Sequence, residues 1–182
     1  MDEEIISLYR NNPRALNGYT ALIPTLQAGY PSAILDQSLT KVSGTVKENS
    51  RRVYDSMLKS LRQAVEHDIT FGVGTDAGMP FVTHYDLWRE LDHFMRQAGL
   101  TAGQMIERVT RTNSAILGVD HLTGSLDTGK QADLIVLEHN PLDNIRALAD
   151  VAMVMVGGNL IQEPKVDRIP EVDQLLDSVW SR

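Results

Sequence analysis

"FGVGTDAGMPFVTHYDLWREL", residues 71–91, decides how the rest of the chain is read. With the two residues before it, "ITFGVGTD" (69–76) is a short, nearly continuous apolar run, the pattern of a strand buried on both faces in a parallel sheet. It ends on Asp76, which stands between Gly74 and Gly78. Thr83 and Asp86 then form a T-x-x-D capping box that predicts a helix. Leu87, Leu91, Phe94, Met95 and Ala98 lie on one face of that helix, and Gly99 is its stop. A buried strand, a glycine-rich turn and an amphipathic helix in that order make a βα unit and set the class as α/β.

Working outward, Ser50 is the expected N-cap of a second helix. Its stripe is Val53, Met57, Leu58, Leu61, Ala64 and Val65, and it ends near His67. "YTALIPTL" (19–26) reads as another strand, limited by Pro24. Between them, residues 27–49 mix Gly, Pro and Ser and read as a long irregular loop. "DEEIISLYRN" predicts a short helix at the start of the chain. Downstream, Thr101 and Gln104 form a second capping box, and "NSAILG" closes a shorter helix at Gly118. Past Gly118 the texture becomes β-rich. "ADLIVL" (132–137) and "VAMVMV" (151–156) are strands, with "GGN" (157–159) a tight turn into "LIQ". Residues 165–182 read as a docking arm or short helix. Two parallel-type strands cannot make a self-sufficient sheet, still less a closed barrel of roughly 250 residues. The pattern belongs to part of a larger assembly.

The composition narrows the function. At 182 residues and 42% hydrophobic, the chain can bury a core, and 17 Lys+Arg against 24 Asp+Glu give a net charge of -7. No basic stripe occurs, which argues against nucleic acid as a partner. No apolar stretch reaches the roughly 18 residues of a membrane span, and "MDEEIISLYRNNPRAL" lacks the apolar core of a signal peptide. The absence of cysteine excludes thiolate metal sites and fits a reducing, cytoplasmic setting.

Asp76 is the first candidate for chemistry, because reactive side chains of parallel α/β folds stand at the carboxyl ends of strands. There it could bind a divalent metal or take a proton from a metal-bound water. An aspartate between glycines is also a common turn residue, and the local sequence does not separate the two. No two of His67, His84, His93, His121 and His139 have H-x-H or H-x-x-x-H spacing. His67 reads as a helix C-terminal residue, His93 as an interfacial or exposed one, and His139 as part of a surface turn. His84 lies on the same βα loop as Asp76 and could reach the same cleft, although it also falls inside the capping box. Thr25 ends the other candidate strand and could line the same mouth. Lys130 reads as a solvated turn residue.

In order along the chain stand "PTL", "GTDAG", "HYDLWRELDHFMRQAGLTAGQMIERVTRTNSAILGVD", "GSLDTGKQADLIVLEHNPLDNI" and "VAMVMVGGNLI". This series resembles the C-terminal part of the amidohydrolase superfamily, in its imidazolonepropionase-like and prolidase-like branch, over residues 1–162. The resemblance implies a metal-dependent hydrolase on a distorted (β/α)8 TIM barrel, with a small composite β-sandwich built from both ends of the chain. Such enzymes cleave carbon–nitrogen bonds, mostly of non-peptide and cyclic amides, with dipeptidases and phosphotriesterases among relatives. In the family pattern an H-x-H pair and two later histidines hold one or two divalent metals, often zinc, and many members add a carboxylated lysine. The aspartate of the last barrel strand binds metal and shuttles the proton of the attacking water, and by position in "GTDAG" that residue is Asp76. His84 and Thr25 would then lie near an amide substrate.

This chain lacks the H-x-H pair, a candidate for the carboxylated lysine, and any histidine ahead of "PTL". The expectation is therefore a partial barrel supplying its seventh and eighth βα units (1–118), followed by the C-terminal strands of the sandwich and an arm (119–182). Alone, it would be inactive and need not carry a metal, since a hydrolytic site needs at least three protein ligands. Its partner would be the missing barrel half or a second copy. The alternative is a non-catalytic module that associates through exposed barrel and sheet edges.

Overall fold

The structure is a computed structural model that describes residues 1–11 and 20–180. A short helix, α1 (Glu3–Asn11), precedes three that bring the chain to its central segment: α2 (Leu26–Ile34), α3 (Gln37–Thr40) and α4 (Gly44–Glu66). The segment 69–73 then pairs in parallel with Leu22. Leu22 N–H donates to the Thr70 carbonyl (3.0 Å), and Gly72 N–H donates to that of Leu22 (2.9 Å). The two predicted strands thus meet in the predicted direction, but they pair only around Leu22 and Phe71. Tyr19, at the start of the first, lies outside the described residues.

Beyond the central segment come α5 (Leu87–Ala98), α6 (Ala102–Glu107), a π-helical turn (Arg108–Thr112) and α7 (Asn113–Ile116). A three-stranded antiparallel sheet follows, β1 (Leu134–Leu137), β2 (Val151–Val156) and β3 (Asn159–Gln162), in the order β1-β2-β3. A 3-10 turn (Ile145–Ala149) lies between β1 and β2. Gly157 and Gly158, at φ 54° and 81°, close the β2–β3 hairpin as the glycine pair predicts. The chain ends in α8 (Pro170–Trp180). No described helix is long and apolar enough to cross a membrane.

Residues 27–49 are not an irregular loop. They hold most of α2, all of α3 and the first turns of α4, whose N-cap is Ser43 rather than Ser50. Ser43 Oγ accepts from Val46 N–H at 3.3 Å. The reason for the difference is tertiary. The first turn of α2 lies against the buried carboxylate of Glu90, which accepts from Leu26 N–H (2.7 Å) and Gln27 N–H (2.6 Å). A cap arriving from α5 satisfies two of the orphan donors that local sequence normally caps. Gly29 and Pro31 read as breakers, yet both lie inside the helix. A Cβ at Gly29 would stand 3.6 Å from the Tyr54 ring, so the missing side chain brings α2 close to α4.

The Thr83–Asp86 capping box does not form either. Asp86 sits at the N-cap of α5, but its carboxylate accepts instead from Trp88 Nε1 (3.1 Å), Arg89 Nε (3.1 Å) and Arg168 Nη2 (3.0 Å). Buried charge partners outbid the local cap, because an unpaired buried guanidinium would cost more than an uncapped turn. The Thr101–Gln104 box and the left-handed Gly99 stop (φ 70°) are both present.

The core joins these elements around Leu26, Leu61, Phe71, Leu91, Phe94 and Met105, each with no exposed surface. Phe71 and Phe94 stack at 5.6 Å between ring centroids. Helix α5 is covered on nearly every side, burying Trp88, Arg89, Glu90, Leu91, His93 and Phe94. Ion pairs draw α8 onto it, with Arg89 to Asp177 at 2.7 Å and Arg168 to both Asp86 and Asp173 at 3.0 Å. Leu176 and Trp180 are buried at the contact, and Trp180 Nε1 donates to Asp92 (2.6 Å). His93 is therefore not an exposed helical residue. It is buried against Trp180 (4.2 Å) and Tyr30 (4.6 Å), because α8 covers the face on which it lies.

Two buried titratable groups make stability depend on pH in opposite senses. Burial pushes the Glu90 carboxyl up to about 8, against the pull of its two N–H donors. It then favours folding below its ordinary value and loses that contribution as pH rises through 8. Burial lowers His93 to about 3, so its contribution is complete above its ordinary value and falls away on acidification. The thermal midpoint should be flat between these arms, falling above pH 6.5 through Glu90 and below pH 4.5 through His93. Melting curves across pH should show Glu90→Gln flattening the alkaline arm and moving the start of the acid arm up from pH 4.5 to pH 6.5, where His93 is no longer opposed.

Candidate functional site

Asp76 leaves the central segment three residues after Val73, with its side chain exposed and its backbone at φ 55°. Left-handed backbone is uncommon for a residue with a Cβ, although aspartate tolerates it better than most. Gly78 (φ 108°) and Phe81 (φ 66°) continue the unusual backbone. The turn closes where Gly78 N–H donates to the Val82 carbonyl at 3.2 Å. No hydrogen bond or ion pair to a described residue engages the Asp76 carboxylate, so a side chain at the end of a buried segment is left free for solvent or ligand.

Thr25 stands beside this turn. A Cβ built at Gly74 would lie 3.7 Å from Thr25 Cγ2 and 3.2 Å from Ile23 Cγ2. Leu22, Ile23, Pro24 and Thr25 also line a groove whose other wall is Val53, Ser56 and Met57 of α4. His84 is exposed further along the loop, with its ring 5.4 Å from that of Tyr85. Tyr85 is tied to the C-terminal segment, donating to Asp173 (3.2 Å) and accepting from Ile169 N–H (2.8 Å). Thr25 therefore lies next to the Asp76 turn, and His84 stands on the part of the loop anchored toward α8. Lys130 is a turn residue as expected, donating to Ser125 Oγ at 2.6 Å.

The donor set does not by itself suit a metal. Among the described residues, no three His, Asp or Glu side chains come together to hold an ion. Asp76 supplies one carboxylate, and any further ligands would have to come from outside these residues.

Sequence reasoning passed over the residues that fix the central segment. Residues 71 and 73 present their backbone groups to the edge opposite Leu22, since these groups alternate along a strand. There Asn113 takes the place of a neighbouring strand. Its Oδ1 accepts from Val73 N–H and its Nδ2 donates to the Val73 carbonyl, both at 2.9 Å. Arg108 Nη1 donates to the Phe71 carbonyl (3.3 Å), with its guanidinium 3.8 Å from the Phe71 ring centroid. A signal was present, because asparagine in mid-helix is unfavourable unless its amide has a task.

Residues 15–161 match the Amidohydrolase family. The chain belongs to that family. Over 130 residues it is 32% identical to ochratoxinase from Aspergillus niger, covering 68% of this chain and 26% of that protein. Among solved structures, a Bifidobacterium longum protein assigned as a prolidase superposes with a TM-score of 0.96 at 45% identity, covering 99% of this chain and 44% of that one. A Xaa-Pro dipeptidase with methionine bound in its active site gives 0.74 at 27% identity, covering 89% and 38%. The chain thus spans about a quarter of its curated relative and less than half of either solved structure.

The close packing at Gly72 can be tested directly. A Cβ there would stand 2.4 Å from Asn113 Oδ1, 2.8 Å from Ile23 Cδ1 and 2.9 Å from Ile116 Cδ1. Gly72→Ala should cost about 1–3 kcal/mol, as overpacking does. Gly129→Ala should show no such clash, because nothing lies within 4 Å of a Cβ at that glycine. Denaturant melts of the two variants compare an overpacking cost with a cost of left-handed backbone alone.

Proposed function

We propose that residues 1–182 form the C-terminal part of a metal-dependent amidohydrolase that cleaves carbon–nitrogen bonds in amides, cyclic amides or dipeptides. The observation that carries the reading is Asp76. In a chain of this family, an unengaged carboxylate stands in left-handed backbone at the end of the buried segment 69–73. Backbone of that kind tends to collect at functional sites. Asp76 is the base this chain contributes, placed to hold a proton from the nucleophilic water, and one ligand of the divalent metal, zinc in this reading. When bound, such a metal supplies Lewis acidity and a more acidic water. Thr25 and His84 face the amide substrate from the two sides of the turn.

In this proposal, residues 1–118 supply the last βα units of a (β/α)8 barrel. Residues 119–182 supply the C-terminal strands of a composite sandwich and the arm that ends in α8. The parallel pairing of Leu22 with Phe71 supports the first assignment, and the β1-β2-β3 sheet supports the second. The chain alone is inactive, because one carboxylate does not make a hydrolytic metal site. A second reading draws on the apolar edge where Ile23 (44% exposed) and Val53 (57%) lie, and makes the chain a non-catalytic module that pairs through that edge.

The test uses a polypeptide that supplies the N-terminal barrel half together with this chain. It should bind a divalent metal and hydrolyse an amide or Xaa-Pro substrate, and Asp76→Asn should lower kcat by about a hundredfold or more. Full activity in Asp76→Asn would overturn the assignment. Stoichiometric metal on the 182-residue chain alone would count against the non-catalytic reading.

A further inference from the structure

The Asp76 carboxylate has no partner among the described residues, yet it leaves the segment 69–73 at a fixed point. What fixes it lies on the π turn and α7. Asn113 engages both backbone groups of Val73 at 2.9 Å, three residues before Asp76. One turn earlier on the same helical rod, Arg108 holds the Phe71 carbonyl and covers the Phe71 ring. These two residues are brought into line by the π turn between them, in which Asn113 N–H donates to the Arg108 carbonyl five residues back. In a regular α-helix, residues five apart do not share a face. π turns inside helices are frequently found at functional sites. Gly72 completes the arrangement, since any side chain there would strike Asn113 Oδ1.

We propose that Asn113 is the positioning residue of the Asp76 turn, clamping the Val73 peptide groups so that the carboxylate is delivered at a set height above the segment. Arg108 and the π turn hold the clamp in register. Its role rests on the reading of Asp76 given above, but its geometry does not. Asn113 neither reaches substrate nor carries charge. It acts through Val73 and the peptides of Gly74 and Thr75.

The amide's two-way pairing gives a specific test. Asn113→Ala removes both hydrogen bonds. Asn113→Asp keeps an acceptor for Val73 N–H, but its ionised form faces the Val73 carbonyl with a second oxygen and repels it. Once protonated, the same side chain has one donor and one acceptor and restores the amide's pattern. In the labelled 182-residue chain, Asn113→Ala should speed hydrogen exchange at Val73 N–H at least tenfold and shift the Asp76 backbone resonances, leaving the Glu90 amide unchanged. In Asn113→Asp, the Asp76 resonances, compared with the wild-type chain at the same pH, should converge on the wild-type positions as the new carboxyl protonates. A purely structural cavity or loosened helix would give no such pH-dependent return. Unaltered Asp76 resonances in Asn113→Ala, or a folded Asn113→Asp chain whose Asp76 signals do not return on acidification, would overturn the proposal.

In the polypeptide with its N-terminal half, Asn113→Ala should lower kcat by roughly tenfold to a hundredfold, with KM within about twofold and metal content retained. Wild-type kcat in that variant overturns the positioning role. If Asp76→Asn is fully active while the Asn113 variants still move the Asp76 resonances, the functional reading fails and the clamp stands.

Discussion

A buried strand has two edges, and each must find hydrogen-bond partners. Among the described residues, the segment 69–73 has a strand neighbour on one of them, at Leu22. Much of the surrounding architecture follows from how the other edge is satisfied. Asn113 and Arg108 supply side-chain donors and an acceptor where a peptide backbone would otherwise lie. That requires the α6–α7 rod to run close beside the segment, and a glycine at position 72 lets it do so. It also requires the two side chains to face the same way, which the π turn accomplishes. The stacked pair Phe71–Phe94 then links the opposite face of the segment to α5.

Helix α5 is the second organising element, and it works by burying polar and ionisable side chains. Glu90 holds the N-terminus of α2, Asp86 and Arg89 gather the C-terminal segment, and His93 is enclosed when α8 closes over it. Arg89 and Asp86 are almost wholly buried, so neither can lose its partners cheaply. Among the described residues, Asp86, Asp173 and Asp177 face Arg89, Arg146 and Arg168 in one connected set. The loop that carries Asp76 and His84 is therefore pinned at both ends, by Asn113 at Val73 and by Asp86 and Tyr85 against the C-terminal segment.

The legible features were those whose cause lies within a few residues of their signal. The Thr101–Gln104 box, the Gly99 stop and the glycine hairpin all have local causes, and all are present. What was misread has its cause at a distance. Helix α2 carries Gly29 and Pro31 and has no side-chain cap of its own, so it is held by distant residues: Glu90, 63 residues beyond Gln27, and the packing of α2 against α4. Asp86 looked like a cap because its local spacing fits one, but Arg168 and Arg89 claim its carboxylate. The exposed turn that carries Asp76 was legible from its flanking glycines. Asn113 was hidden in an ordinary-looking helix, because pairing with a strand edge leaves no periodic trace.

The same distinction bears on what a carboxylate at a strand end can do. A catalytic group must be both available and fixed, and the two demands conflict: bonds that fix a side chain also occupy it. The arrangement around Asp76 separates them. Its own oxygens stay unengaged among the described residues, and the constraint is applied to the backbone three residues upstream by an uncharged amide. An uncharged clamp is the better choice here. A carboxylate in the place of Asn113 would repel the Val73 carbonyl, and a lysine would offer donors without an acceptor for Val73 N–H. The asparagine amide, with one donor group and one acceptor at the spacing of a peptide, can close both bonds while adding no net charge near Asp76.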